Sequence, residues 1–351
     1  MPRTGPPRRT ALAAAALAIL AFRVAAGPAG APWDAGPAPE ARLFAEGVVS
    51  TEDDESNGAF SPEGSEYYFT KFNPSTTAAR WGLLCVARFR DGRWSAPESL
   101  PFSGRNLDFA PRLSPDGKTL YFSSSRAAPG KTAHVLRIWS VARTPGGWGE
   151  PRVLPAPVNA PDTESNFSAS ITRDGTIYFA STRDGSGHPH VYRARFAAGA
   201  WAEPEKLGPE INSDVSDEDP YVSADERILV FGSRGDGPPT DKDRPETVSG
   251  GGVLYARGDL YASVGDGGRW SPARHLGHGV NTFADESSPS LTPDGRYLFF
   301  TTERSPFSVP PARRMSAREI DAALRGTLNG HGNVFFVSVD ALGLAPAGEK
   351  P

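Results

Sequence analysis

A tight turn of the form Ser/Thr-Pro-Asp-Gly recurs along the chain and constrains its fold more than any other feature. Pro presets φ, Asp bonds nearby backbone groups, and Gly accepts a left-handed conformation. Five copies can be aligned: Ser61-Pro-Glu-Gly64, Ser114-Pro-Asp-Gly117, Thr172-Arg-Asp-Gly175, Ser223-Ala-Asp-Glu226 and Thr292-Pro-Asp-Gly295. Their last residues are 53, 58, 51 and 69 positions apart. This spacing indicates a repeat fold.

Each repeat has the pattern of four antiparallel strands. An aromatic or β-branched segment follows every turn, as in Leu120-Tyr121-Phe122, which is typical of buried strands. A third strand is predicted over 83–89, 135–141, 190–196, 260–264 and 334–339. A second turn then ends in a tryptophan and leads into a short fourth strand; the tryptophans are Trp94, Trp148, Trp201 and Trp270. Four-stranded units repeated radially form a β-propeller.

The fifth repeat lacks its fourth strand, and a matching segment occurs at the other end of the propeller region. Residues 39–43 and 47–55 mirror residues 272–276 and 279–286. The sequence therefore predicts an all-β, five-bladed propeller over residues 39–341, closed by an N-terminal strand that completes the last blade. Six blades are the alternative, but no insertion carries a further copy of the turn.

Two stretches interrupt the repeat. Residues 236–252 are polar and rich in Pro and Gly, which predicts a surface loop. Residues 305–332 contain Ser316 followed by Glu319, a capping-box pattern, and then apolar residues at helical spacing. We expect one short helix there. Residues 342–351 are a C-terminal tail.

The N-terminus has the pattern of an export signal. Arg3, Arg8 and Arg9 precede an apolar run and then small residues, so residues 1–26 are predicted to be a signal peptide and 27–38 a linker. Because the apolar run is too short to span a bilayer, we expect no transmembrane segment in the mature chain. We expect a bacterial protein that is periplasmic or secreted, and that is a monomer.

Charge and cysteine content exclude several classes of function. Loss of residues 1–26 removes four Arg and lowers the formal net charge from −4 to −8. A nucleic-acid partner is not expected, because its footprint needs clustered Lys and Arg. The single cysteine, Cys85, lies in an apolar segment and is predicted to be a buried, unreactive side chain.

Alignment of the turns exposes a second regularity, a polar residue six positions before each turn. With one further acid from the third repeat, these residues are predicted to form a polar ring at one mouth of the central channel: Glu55, Asp108, Glu164, Asn166, Asp217 and Glu286. Such a ring predicts a site for a divalent cation or a polar ligand. The favoured alternative is structural, with each acid bound by neighbouring backbone or by the arginine that ends the second strand: Arg126, Arg183, Arg234 or Arg304.

Other candidate ligand groups carry less weight. His188 and His190 offer two metal ligands without an assignable third one, so no metal is assigned. The four tryptophans recur at one hairpin position, which favours packing between blades over sugar stacking.

These motifs resemble the TolB-like (WD40-like) propeller repeat of exported bacterial proteins. The resemblance rests on residues 114–126, on residues 147–154, on Val280-Asn281 and on Asp285-Glu286. It implies the architecture over residues 39–341. TolB carries a separate α/β domain before its propeller, and no stretch of this sequence fits one, so the role and partners of TolB are not implied.

The sequence thus favours a non-enzymatic propeller that binds an unknown protein or carbohydrate, with no catalytic residue assigned and no cofactor evident. The alternative is a carbohydrate-active enzyme of the glycoside hydrolase kind, with two carboxylates in the channel. No copy of the ring acid differs from the others as a dedicated acid/base pair should. Peptidases with propellers need a hydrolase domain with a Gly-x-Ser-x-Gly motif, which the sequence lacks.

Overall fold

The computed structural model describes residues 33, 38–73, 80–130, 135–234, 258–306 and 313–344. Within these ranges the chain forms five antiparallel blades around one axis, which confirms the predicted five-bladed β-propeller. The first strands of successive blades contact one another and form the innermost layer. Among the described residues, no helix is long and apolar enough to cross a membrane.

The strands follow the order of the repeats. The closing strand is β1 (Arg42–Leu43). Blade 1 contains β2 (Asp54–Phe60), β3 (Glu66–Phe72), β4 (Gly82–Arg90), β5 (Arg93–Trp94) and β6 (Glu98–Ser99). Blade 2 contains β7 (Asp108–Leu113), β8 (Thr119–Ser124), β9 (Arg137–Thr144), β10 (Gly147–Trp148) and β11 (Arg152–Val153). Blade 3 contains β12 (Asn166–Ile171), β13 (Ile177–Ser181), β14 (His190–Ala194), β15 (Phe196–Ala197), β16 (Ala200–Trp201) and β17 (Glu205–Lys206).

The last two blades carry the insertions. Blade 4 contains β18 (Asp217–Val222), β19 (Ile228–Ser233), β20 (Asp259–Asp266), β21 (Arg269–Trp270) and β22 (Arg274–His275). Blade 5 contains β23 (Glu286–Leu291), β24 (Tyr297–Thr302), α1 (Ala317–Leu324), β25 (Asn333–Ser338) and a 3₁₀ helix (Val339–Leu342). The expected capping box is present at the start of α1, where Ser316 and Glu319 bond each other's backbone N–H groups. The predicted loop 236–252, the signal peptide and most of the linker lie outside the described residues.

The recurring turns have the predicted geometry. The fourth residue of each turn donates its N–H to the carbonyl of the first, as from Gly117 to Ser114 at 2.8 Å. That fourth residue is left-handed in every copy, including the non-glycine Glu226 with φ 58°. Glu226 accepts a 2.6 Å hydrogen bond from the Tyr178 hydroxyl of blade 3, which helps to hold its side chain in place.

The N-terminal strand closes the ring, but its register differs by one residue from the sequence alignment. Strand β1 pairs with β25, so blade 5 is completed from the other end of the chain. Phe44 donates its N–H to Val334 O, just as Leu276 of blade 4 donates to Leu260 O. Phe44, and not Leu43, therefore occupies the position of the fourth-strand leucines. The segment from Phe44 to Glu55 is one residue longer than the segment from Leu276 to Glu286, and the extra residue lies in the run Gly47-Val48-Val49.

A polar side chain ties each interblade connection to the preceding blade, and after blades 2 to 5 this side chain is buried. Asn212 accepts a hydrogen bond from Val191 N and donates to Val191 O and Leu207 O, at 2.8–3.0 Å. Asn281 makes the corresponding pair of bonds to Leu260. In blade 5 the residue is Ser50, which bonds both Val334 N and Val334 O. These bonds satisfy third-strand N–H groups that would otherwise be buried without partners, and they add a second bond to carbonyls that already accept one from the fourth strand.

Asn212→Ala is expected to lower the free energy of unfolding by about 1–3 kcal/mol, because it leaves the buried Val191 N–H without its partner, while the Val191 carbonyl keeps its bond from Leu207 N–H. Asn212→Ser should recover much of that loss, since serine makes the same bonds from position 50. Urea unfolding of the two variants beside the wild type measures the difference. Equal losses for Ala and Ser would show that the side-chain volume of Asn212, and not its hydrogen bonds, matters.

Three of the four turn tryptophans make ring contacts between blades, as predicted, whereas Trp201 lies edge-on to Phe196 of its own blade. Trp148 of blade 2 lies edge-on to Tyr68 of blade 1, with ring centroids 6.0 Å apart, and Trp270 of blade 4 lies edge-on to Tyr178 of blade 3 at 5.9 Å. Trp94 packs on Phe44 at 5.5 Å, which joins blade 1 to the closing strand. Cys85 is buried in the blade 1 core, and burial raises its pKa to about 11.

Candidate functional site

The residues predicted to line the channel mouth stand where the sequence places them, at the start of the first strand of each blade. Glu55, Asp108, Asn166, Asp217 and Glu286, here called the ring position, have no solvent-exposed surface. Glu164 lies just before its strand, is half-buried and accepts a hydrogen bond from the Thr182 hydroxyl at 2.7 Å.

Hydroxyls and backbone amides of the preceding loop bind the ring-position carboxylates. Glu286 accepts bonds from Thr282 N and Thr282 Oγ1 at 2.9 and 2.6 Å, and from Thr302 Oγ1 at 2.7 Å. Glu55 accepts the same two bonds from Thr51. Asp217 accepts bonds from Ser213 N and Oγ. Each acid thus stabilises the loop that enters its blade.

The predicted arginines reach the ring position in three of four blades. Arg126 Nη2 lies 2.8 Å from both oxygens of Asp108, and Arg183 Nη2 donates to Asn166 Oδ1 at 2.7 Å. Arg304 Nε lies farther from Glu286 Oε1, at 3.6 Å. Arg234 instead binds Glu218 and Asp285. In blade 1, Lys71 takes the cationic role, 3.3 Å from Glu55.

Burial controls the protonation of these acids. Burial raises the pKa of Glu286 to about 7, although Thr282, Thr302 and Arg304 oppose the shift. Burial also raises the pKa of Glu55 and of Asp217 against opposing hydrogen bonds. A ligand-binding role for the ring position stays a prediction, while the contacts in hand are those of the structural alternative.

The two residues after each ring position were not singled out from the sequence. Each first strand has a register shift there, between Phe109 and Arg112 in blade 2, for example. Within these bulges Ala110, Ser168, Asp219 and Ser288 adopt left-handed backbone with φ of 52–54°. Such conformations are strained for non-glycine residues and cluster at functional sites.

Asp219 joins these bulges across the axis. It accepts hydrogen bonds from Ser168 Oγ of blade 3 at 2.5 Å and from Ser288 Oγ of blade 5 at 2.8 Å. Ser288 Oγ in turn lies 3.4 Å from Ser56 Oγ of blade 1. A polar arc thus runs from blade 3 through blades 4 and 5 to blade 1, with Asp219 as its carboxylate.

Aromatic rings occupy the opposite side of the mouth. Phe72, Phe109 and Phe167 of blades 1 to 3 form a row with ring centroids 6.3 Å apart. At the outer end of the row, Arg80 stacks over Phe72 at 4.2 Å and pairs with Asp54 at 3.1 Å. The mouth is therefore polar on one side and aromatic on the other.

A buried arginine lies on the first strand of blade 2, beyond the bulge. Arg112 is 8% exposed and donates to Gly58 O of blade 1 at 2.6 Å and to Pro289 O of blade 5. Its guanidinium lies 5.7 Å from the Tyr221 ring of blade 4. Arg112 thus bridges four blades at the centre of the ring.

The acidic side of the mouth continues outward on blades 4 and 5. Glu218 and Asp285 share Arg234, at 2.7 and 2.8 Å. Burial raises the pKa of Glu218, and the negative charges of Asp219 and Asp285 add to the rise against Arg234. Because neighbouring carboxylates repel one another, this side favours the approach of positive charge.

Metal ligation finds little support in the described ranges. No three His, Cys, Asp or Glu side chains in them are grouped as metal ligands. His190 is buried with Nδ1 2.9 Å from Asp184, whereas His188 is exposed, so the two histidines do not act together. The divalent-cation site stays a prediction.

A signal for the mouth residues was present in the sequence. Once the turns are aligned, the ring position repeats a polar residue, whereas the next position changes in kind from blade to blade: Ser56, Phe109, Phe167, Glu218 and Ser287. A scaffold position repeats with the blades, and a site for an asymmetric ligand does not. Variation between repeats, and not repetition, marks the candidate site.

No protein-family model and no curated protein matches the chain. Three solved structures illustrate its likeness. A TolB candidate from Agrobacterium tumefaciens has 15% identity and a TM-score of 0.43, with 82% of this chain and 90% of that chain covered. An endo-arabinase from Bacteroides thetaiotaomicron has 13% identity and a TM-score of 0.46, with 83% and 96% covered.

The third is a calcium-binding regucalcin from Agrobacterium tumefaciens, with 13% identity and a TM-score of 0.40, covering 86% of this chain and 94% of that chain. Likeness this distant does not transfer an activity. The blade topology itself establishes the chain as a five-bladed β-propeller, and its repeat is similar to that of the TolB-like propellers.

Proposed function

We propose that this protein is an exported, non-enzymatic binding propeller whose ligand site is the channel mouth between the aromatic row and Asp219. The observation that carries the proposal is the broken symmetry of the mouth. Directly after the ring position, blades 2 and 3 supply Phe109 and Phe167, whereas blades 4 and 5 supply Glu218 and Ser287. One position further, blade 4 supplies the acid Asp219 where blades 3 and 5 supply serine. An asymmetric wall of this kind offers one orientation to a ligand.

The repeated acids support a scaffold and not a catalytic pair. Glu286 has a pKa near 7, which would suit a general acid, but its carboxylate is fully buried and holds two threonines. Glu218 and Asp219 are consecutive residues of one strand, so they cannot flank a glycosidic bond from two sides. Hydrolysis needs carboxyl groups about 5–9.5 Å apart on either side of that bond.

The proposal includes export because residues 1–26 have the pattern of a signal peptide. The full-length chain, expressed in a bacterial host, is expected to reach the periplasm with a new N-terminus after Ala26. The purified product is then incubated with arabinan, xylan, starch and other polysaccharides, and reducing ends are measured. We expect no hydrolysis by the wild type.

Sugar release that both Asp219→Asn and Glu286→Gln abolish would establish the enzyme alternative instead. The matched control is Asp225→Asn, which changes an exposed acid of blade 4 in the recurring turn, at the opposite end of the first strand. Retention of the intact N-terminus in the cytoplasm would contradict export.

A further inference from the structure

The rim of blade 1 shows which chemistry the mouth accommodates. There the Arg80 guanidinium lies 4.2 Å from the centre of the Phe72 ring and 3.1 Å from Asp54. An aromatic face and a carboxylate together hold a cation, through ring quadrupole and charge.

Further round the mouth, the aromatic ring and the carboxylate of this arrangement recur, but the guanidinium does not. Phe109 and Phe167 continue the row that begins with Phe72, and Ser168, the residue after Phe167, binds the Asp219 carboxylate at 2.5 Å. In the described parts of the chain, no Lys or Arg lies within ion-pair distance of Asp219 or stacks on either ring, although the buried Arg112 attracts Asp219 from the centre of the ring. The rim cation Arg234 is held by Glu218 and Asp285.

We propose that the channel mouth binds an organic cation of the alkylammonium or guanidinium class, with Asp219 as counter-ion and Phe109 and Phe167 as its apolar wall. This inference rests on the proposed binding function and names its ligand class. Asp219 uses its oxygens to accept two hydroxyl hydrogen bonds, and each carboxylate oxygen has a second lone pair for a ligand N–H.

Charge distinguishes this ligand from a neutral one. Glu218, Asp219 and Asp285 stand on one side of the mouth, where Arg234 is bound between Glu218 and Asp285. An incoming cation relieves the repulsion between Glu218 and Asp219, whereas a neutral sugar leaves it in place. A divalent metal would need six or more oxygen ligands, which the aromatic side does not supply.

The centre of the ring limits how deep the ligand reaches. Arg112 crosses the axis to Gly58 O and Pro289 O, and a second cation is repelled from that level. The ligand is therefore compact, or is the tip of a longer molecule.

Calorimetric titration of the purified mature protein tests the inference. The probes are n-butylamine and methylguanidine, with n-butanol and arabinose as neutral counterparts and calcium chloride as the divalent ion. We expect saturable binding of the amine and the guanidine only, weakened by added salt. Asp219→Asn should weaken it about tenfold or more, and Phe109→Leu about threefold. Asp225→Asn should leave it unchanged.

A second titration, with peptides, distinguishes a cationic side chain of a protein partner from a small cationic metabolite. If the natural cation is a side chain, peptides rich in Lys or Arg should bind more tightly than the free amines, through contacts on the surrounding rim. If it is a small metabolite, they should bind more weakly. Both results agree with the proposal.

Three results would overturn it: no saturable binding of either cation, binding that Asp219→Asn leaves intact in a folded variant, or tighter binding of the neutral probes. The last result would still agree with the proposed binding function. Sugar hydrolysis would contradict that function and leave the cation titration to be judged separately.

Discussion

Replacing Phe44 by alanine is expected to lower the free energy of unfolding by about 3–5 kcal/mol. Phe44 is 5% exposed and lies at the junction between the closing strand and blades 1 and 5. Its ring centroid is 4.9 Å from that of Phe299, 5.0 Å from Tyr67 and 5.5 Å from Trp94. The cavity would therefore open between blade 1 and blade 5, where the closing strand holds the ring together.

Leu276→Ala is the matched control, because Leu276 holds the same position in blade 4. It should cost about 2–5 kcal/mol, but blade 4 has a covalently continuous fourth strand. Equilibrium urea unfolding gives both losses, and limited proteolysis reports local opening. We expect cleavage near residues 38–45 in Phe44→Ala only. Equal protease resistance of the two variants would show that the closing strand does not depend on Phe44.

Replacing Glu286 by glutamine is expected to stabilise the protein at pH 8 and to have little effect near pH 5. Burial raises the pKa of Glu286 to about 7 in the folded state, from 4.5. Between these values the folded state holds a proton that the unfolded state has lost. The contribution to stability is therefore full below about pH 4.5 and disappears as the pH rises through about 7.

The size of the effect follows from the shift, and is on the order of 1–3 kcal/mol. Glutamine fits the site, because its carbonyl can accept from Thr282 N while its amide donates to the Thr282 and Thr302 hydroxyls. Urea unfolding of wild type and variant from pH 5 to pH 8 measures the difference. Glu55 and Asp217, whose pKa values burial also raises, leave some pH dependence in the variant.

Asp108→Asn is the matched control, and it is expected to destabilise the protein at pH 8 where Glu286→Gln stabilises it. Asp108 holds the same ring position, but Arg126 lies 2.8 Å from both of its oxygens, whereas Arg304 lies 3.6 Å from Glu286. Loss of the Asp108 charge leaves the largely buried Arg126 without its counter-ion, with an amide oxygen to donate to as Arg183 has in Asn166, and should cost about 1–3 kcal/mol at pH 8. If both amide variants destabilised the protein equally at pH 8, the assigned difference between the two sites would be wrong.

Much of the fold could be predicted from the sequence because its signals are local. A Ser-Pro-Asp-Gly turn and the strand after it need only adjacent residues, so blade number, strand order and the Ser316 capping box all follow. Closure of the ring by the N-terminal strand was also predicted, from the segments that mirror blade 4. The register of that strand could not be predicted, because Leu43 and Phe44 are both apolar and the pattern alone cannot choose between them.

The candidate site was predicted only in part. The ring position was located, since it recurs at a constant offset from the turn. The prediction that arginines bind the ring position was right for Arg126 and Arg183. It was wrong for Arg234, which binds Glu218 and Asp285 instead. Sequence spacing sets where an arginine starts on a strand, whereas the neighbouring charges decide where its long side chain ends.

The number of blades and the order of strands within each blade follow from the sequence, because turn chemistry and strand periodicity act within about 50 residues. The contacts made at the axis follow from the tertiary structure. Asp219 binds Ser168 and Ser288, which are 51 and 69 residues away. Five first strands converge there, and their contacts depend on bulges and on blade order around the ring. No periodicity within one repeat encodes them.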